Sequence, residues 1–181
     1  MSSLKPSPIF IETNSFILRT LTEQDVNEHF LAWLNCERMM SGLNLHGLQF
    51  SLESLRQFIC NFNNLTNYFI GIFDKTDKAL IGFYTFDIDL KHRVGSISAA
   101  GIGETSYSGK KVFWATIDAL LDYFYLYRGA EKIVARVLRK NVPMLFSFTA
   151  NPRFSLEAVL KKECLGADGE RLDVIIFSSF K

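Results

Sequence analysis

Apolar positions along the chain follow two spacings, and the switches between them mark the elements. The run Phe16-Ile17-Leu18-Arg19-Thr20-Leu21 is apolar and β-branched and predicts a first strand. Thr22, with Asp25 three residues on, reads as a capping box that opens a helix. Val26, Phe30, Trp33 and Leu34 then repeat at helical spacing to about Arg38. Residues 41–50 read as a loop containing glycine. Ser51 suits the N-cap of a second helix, whose apolar face is Leu52, Leu55, Phe58, Ile59 and Phe62.

Three extended segments follow, at 68–73, 79–90 and 94–102, joined by the polar turns 75–78 and 91–93. They predict an antiparallel meander. After a polar loop at 106–111, Phe113, Ile117, Leu120, Leu121 and Phe124 mark one face of an amphipathic helix. Gly129 suits its C-cap. Residues 132–138 read as a strand, and Asn141-Val142-Pro143 opens a short helix. Two last strands, 156–164 and 172–180, flank the turn signal Asp168-Gly169. The order implies a mixed α/β (α+β) fold: a largely antiparallel central sheet flanked by helices, with one parallel crossover. Residues 1–10, with Pro6 and Pro8, read as a flexible arm, and 11–181 as a single domain.

Composition narrows the function classes. The 181 residues are 48% hydrophobic and 22% charged, with 17 Phe. A chain of this size buries a good core. Twenty Lys and Arg against nineteen Asp and Glu give a net charge of +1, so nothing steers the protein to nucleic acid or an anionic membrane. Cys36, Cys60 and Cys164 are far apart and odd in number, which predicts reduced, mostly buried thiols rather than a disulfide framework or zinc ribbon. His29, His46 and His92 lack ligand spacing, so no metal site is expected. The polar start and the lack of an 18-residue apolar run predict a soluble, cytoplasmic protein.

Several local strings, taken in order, resemble the GNAT superfamily of acyl-CoA-dependent N-acyltransferases. The closest likeness is to its ribosomal-protein alanine and amino-sugar acetyltransferase branch. Phe16 to Asp25 resembles that branch's opening "LRPLTEED", and Leu80-Ile-Gly-Phe83 its "LIG" strand. Gly101-Ile-Gly103 with Tyr107-Ser-Gly-Lys110 resembles its "IG…YWGKG". Asn141 and the stretch Asp173-Val174 to Phe177 resemble its helix-opening Asn and its closing strand.

The resemblance implies acetyl-CoA as co-substrate, with its pyrophosphate bound at the start of the central helix. Unsatisfied N–H groups and the helix dipole favour an anion there. The stretch matching the family's Arg/Gln-x-x-Gly-x-Gly/Ala pattern is Ser108-Gly109-Lys110-Lys111-Val112-Phe113. Lys111 and Phe113 replace small residues, and Ser108 replaces Arg or Gln. Lys110 and Lys111 add positive charge; they read equally as a solvated helix start, and Phe113 reads as ordinary core. The family's fourth strand splays from its fifth, which implies a pantetheine slot beside Ile102 and Gly103, with Asn141 near the exit. A plain turn explains those glycines nearly as well.

The fourth strand carries no carboxylate. Glu104, just past it, and Asp87, on the strand before, are the candidate general bases. Exposed strand-face carboxylates are most often simply solvated. The place of the family's acid Tyr falls on Phe148, which has no proton to give. His46 is a possible acceptor contact. The expectation is an N-acetyltransferase acting on a primary amine, either a small molecule, an amino sugar or a protein N-terminus, as a monomer or homodimer. The rival is a GNAT fold that has lost catalysis and binds a ligand or partner.

Overall fold

The computed structural model describes residues 4–45, 49–107 and 110–181. His46, and Ser108 and Gly109 of the phosphate motif, lie outside the described residues.

One eight-stranded sheet runs in the order β1-β2-β3-β4-β5-β6-β8-β7. Its strands are β1 (Phe10–Glu12), β2 (Phe16–Thr20), β3 (Asn67–Asp74), β4 (Leu80–Asp89), β5 (Val94–Ile102), β6 (Lys132–Leu138), β7 (Ser155–Leu165) and β8 (Arg171–Phe180). Every pairing is antiparallel except β5 with β6. That parallel step needs a crossover, which is the helix α4 (Val112–Tyr127).

The sheet separates two apolar layers. On one face α4 and α5 (Val142–Ala150) pack through Ile117, Leu120, Phe124 and Phe148 onto Tyr84, Phe86 and Ile133. Phe86 and Phe124 stack with ring centroids 3.5 Å apart. The other face carries α1 (Glu28–Leu34), α2 (Glu37–Leu43) and α3 (Leu52–Cys60), with Phe30, Trp33, Leu55 and Ile59 on Phe69 and Phe83.

The single helix expected from Thr22 to Arg38 divides. Asp25 closes the capping box on the Thr22 N–H at 2.8 Å, but only a 3-10 turn, Glu23–Asp25, follows. The Asp25 carboxylate is also gripped by Arg19 through two bonds of 2.9 and 2.6 Å. Val26 is then extended, and Asn27 caps α1 afresh by accepting the Phe30 N–H at 2.9 Å. Residues 41–43, expected as loop, belong to α2. The cysteines, expected to be mostly buried, are not: Cys36 and Cys60, at the ends of short surface helices, are exposed, and Cys164 is partly buried.

The flexible arm over residues 1–10 is corrected at its inner end. Ile9 is buried and Phe10 starts β1. The Ser7 N–H reaches the Asn64 carbonyl at 2.9 Å, and buried Arg128 donates twice to the Lys5 carbonyl at 3.2 Å. Two prolines preclude a helix here, yet a buried isoleucine and side-chain donors hold the segment. Other boundaries follow the sequence: Ser51 caps α3, Asn141 caps α5, and Gly129 takes φ +72 just beyond α4.

Candidate functional site

The parallel pair β5 and β6 is joined only from Val94/Lys132 to Ile97/Ala135. Beyond Ile97 the strands part. Residues 98–102 keep β4 as a partner, and alternate backbone amides on their other side face open space. A bulge marks the fork: Thr85 opposes Ala99 while Phe86 opposes Ile97, so Ser98 is the extra residue. The far prong leads into α5, where the Asn141 Oδ1 accepts the Met144 N–H at 3.3 Å. The Asn141 Nδ2 donates to the Gly42 carbonyl of α2 at 3.2 Å. One side chain therefore ties α2 and α5 together across the fork.

A cavity of about 550 Å³ occupies this opening. Met39, Leu43 and Phe83 line it from one apolar layer, and Tyr84, Ile102 and Phe113 from the other, so it passes through the sheet. A second cavity, about 720 Å³, shares Ile102, Phe113, Pro143 and Met144 and extends to Lys111, Val112 and Trp114 at the start of α4. The two make one path from the helices of one face to the N-terminus of α4 on the other.

That N-terminus has no side-chain cap. Lys111 precedes it in the left-handed region at φ 55, ψ 31. The N–H groups of Val112, Phe113 and Trp114 have no hydrogen-bond partner among the described residues. Uncapped donors, the helix dipole and the exposed Lys111 suit an anion. Lys110 sits with its ammonium 4.4 Å from the Tyr107 ring centre. The left-handed backbone at Lys111 is one that glycine adopts without strain and a lysine does not.

The two candidate carboxylates occupy different places. Asp87 lies opposite Ser96, one residue before the strands part, and its carboxylate accepts the Ser98 hydroxyl. Ser98 lines the innermost, small cavity of the fork, together with Asn141 and Met144. Glu104 lies two residues past the open end of β5 at Ile102, which is itself about 20 Å along the strand from Ser96. It lines a separate cavity of about 520 Å³ with His29, Trp33 and Asp77. Its carboxylate accepts the Ser106 N–H at 3.1 Å and meets the His29 Nε2 at 3.0 Å. Those bonds, the Ser106 amide foremost, hold its pKa below the usual carboxylate value and make it a weak base.

A model described as an acetyltransferase (GNAT) domain matches residues 15–145, well over half of the chain. The chain belongs to the GNAT acetyltransferase family. Acetyl-CoA is the co-substrate of such enzymes, and the open N-terminus of α4 with the apolar path behind it fits it. No curated protein sequence matches the chain. Among solved structures it is similar to a Vibrio cholerae spermidine N-acetyltransferase in complex with CoA and spermine, at 21% identity and a TM-score of 0.80, covering 91% of this chain and 95% of that one. It is similar to a Salmonella typhimurium acetyl transferase that modifies the N-terminal serine of a 50S ribosomal subunit protein, at 20% identity and a TM-score of 0.80, covering 96% and 99%. A Bacillus anthracis GNAT-family acetyltransferase matches at 17% identity and a TM-score of 0.77, covering 95% and 98%. At these identities the likeness carries the fold.

One feature of this GNAT chain departs from expectation. Gly103 was expected beside the pantetheine. Its N–H bonds the Ile81 carbonyl at 3.0 Å, and a Cβ on it would run into the Trp33 indole. The glycine lets a tryptophan lie against the strand end, and its amide is not free for a thioester arm. Phe148, where the sequence resemblance puts the acid, is 1% exposed, with its ring among Phe113, Phe154 and Phe177. Phe113 is likewise buried core, and it also forms a wall common to both parts of the path. Sequence reasoning missed Arg38, Met39, Gly42 and Leu43, all lining residues from α2. Met39 and Leu43, four apart and both apolar, were the available signal. Among the described residues no cluster of His, Cys, Asp and Glu could hold a metal ion. No described helix is long and apolar enough to cross a membrane.

Proposed function

We propose that this chain transfers the acetyl group of acetyl-CoA to a primary amine by direct attack in a ternary complex. The observation that carries the reading is the path through the sheet at the β5/β6 fork, open to the uncapped N-terminus of α4. In this reading the pyrophosphate lies on the Val112, Phe113 and Trp114 amides, flanked by Lys110 and Lys111. The pantetheine arm runs past Ile102 and Met144, below Asn141. The free amides of 98–102 face the thioester and polarise its carbonyl. The amine arrives from the α2 side. Holding both reactants in one passage supplies much of the rate enhancement.

The proton on the incoming ammonium leaves through Ser98 to Asp87, since the serine hydroxyl lines the fork and already donates to that carboxylate. Glu104 is set aside, tied to Ser106 and His29 in another cavity. No proton donor stands at Phe148, so the coenzyme A thiolate leaves unassisted and takes its proton from water. The acceptors of the structural neighbours, a polyamine in one and a protein N-terminal serine in the other, share only the amine. Calorimetry with acetyl-CoA and with desulfo-CoA tests the reading. Micromolar binding of both, followed by coenzyme A release with an amine, is expected. Binding without release to any amine would favour a fold that has lost catalysis, and no binding would remove the phosphate assignment.

A further inference from the structure

The acceptor end of the passage has an uneven charge. Arg38, on α2, lines the cavity of about 550 Å³, and none of the residues lining that cavity is Asp or Glu. The adjoining small cavity adds Arg136, whose guanidinium is already held by Glu163 at 2.7 Å. Its lining also contains no carboxylate. Arg38 is exposed and has neither a salt bridge nor a side-chain hydrogen bond among the described residues. The rest of the lining is apolar side chains and backbone, apart from the Asn141 amide, engaged at Gly42 and Met144, and the Tyr84 hydroxyl, engaged at Thr116.

A polyamine would bring a second ammonium into this space. The nearest carboxylate, Asp87, stands behind Ser98 and serves the reacting amine, so a second ammonium would meet no carboxylate in the cavity lining, and Arg38 would repel it. An amine that also carries a carboxylate fits the opposite way. Guanidinium pairs with carboxylate through two parallel bonds, and an Arg on a helix at the mouth can hold such a group while the amine enters the fork. Resting on the proposed acetyl transfer, we propose that Arg38 sets acceptor choice: it favours a primary amine with a carboxylate a few bonds away and disfavours polyamines. A free amino acid and an acidic peptide N-terminus both present this chemistry.

Thiol release from acetyl-CoA tests this with four acceptors: free serine, an amidated Ser-Glu-Glu peptide, an amidated Ser-Lys-Lys peptide and spermidine. Either carboxylate-bearing acceptor should exceed spermidine and the lysine peptide by about ten- to hundredfold in kcat/KM. Free serine against the acidic peptide separates the two sources. Arg38→Gln should remove that preference through KM, and Arg38→Glu should turn it towards spermidine. Both variants should keep the wild-type melting temperature and acetyl-CoA affinity, because the side chain is exposed and on the far side of the sheet from α4. Spermidine as the best acceptor, or a preference unchanged by either variant, would overturn the assignment of Arg38 while leaving acetyl transfer intact. Loss of acetyl-CoA binding by the wild-type chain would instead overturn the transfer reading on which it rests.

Discussion

Replacing Lys111 by glycine should move stability and cofactor affinity in opposite directions. Lys111 holds φ 55, ψ 31 at the N-cap of α4, with no side-chain cap bond of its own. A side chain in that region costs roughly 1–2 kcal/mol, because its Cβ crowds the following carbonyl. Glycine relieves this but gains about 0.5–1 kcal/mol of unfolded-state freedom. The net is a stabilisation of about 0.5–1 kcal/mol, or roughly 1–4 °C in Tm for a chain of this size. Removing the charge acts on the ligand. A single charge near 4 Å from a phosphate in solvent contributes about 1 kcal/mol, so acetyl-CoA affinity should fall about fivefold at low salt. The loss should shrink as salt rises. Thermal melts and calorimetric titrations at two ionic strengths read both effects. A lowered Tm would show that Lys111 makes a compensating contact, and an unchanged affinity would show that the pyrophosphate binds elsewhere.

Asp87→Asn keeps an acceptor for the Ser98 hydroxyl but removes the carboxylate; kcat/KM should fall about 10²–10⁴-fold with acetyl-CoA affinity unchanged, and undiminished turnover would mean that the amine loses its proton directly to water. Asp25→Asn should lower stability by about 2–3 kcal/mol near neutral pH, since a half-buried carboxylate loses its charge-assisted bonds to Arg19 and Thr22. Burial raises its pKa but those bonds outweigh it, so the folded value is depressed. Its stabilisation is therefore present above the unfolded value near 4 and disappears as pH falls through the folded one. Melts between about pH 7 and pH 2 should show wild type and variant converging in acid; parallel curves would mean that Asp25 contributes no linkage.

Legibility followed the source of each element's stability. Elements held by their own pattern were readable: β5, β6 and α4, with caps at Ser51 and Asn141 and a glycine at 129. Elements held by neighbours were not. The segment Glu37–Leu43 contains a serine, a glycine and one buried residue, Met40, and becomes α2 by packing on α1 and β5. β1 follows two prolines and exists because Ile9 is buried and its N–H meets the Thr20 hydroxyl at 2.8 Å. The same division runs through the site. The fork and the α4 N-terminus come from readable elements, and the acceptor wall comes from α2. Gly103 was readable as a close approach, but which group approaches is a tertiary fact, and it is Trp33.

The departures from the family pattern at the start of α4 are therefore of different physical kinds. At Lys111 the backbone keeps the left-handed conformation that glycine would favour, so the amides behind it retain their orientation and the cost falls on stability. The side chain leaves into solvent, where it adds charge at the place an anion would sit. At Phe113 the ring points into the apolar layer against Phe148 and Tyr84, 4.9 and 6.4 Å between centroids. It narrows the passage wall without touching the amides. Phe113 and Phe148 pack edge to face on each other, and both rings are buried. In the proposed reaction the two rings are one packing solution, an apolar wall with no proton donor at 148, which leaves the thiolate to solvent.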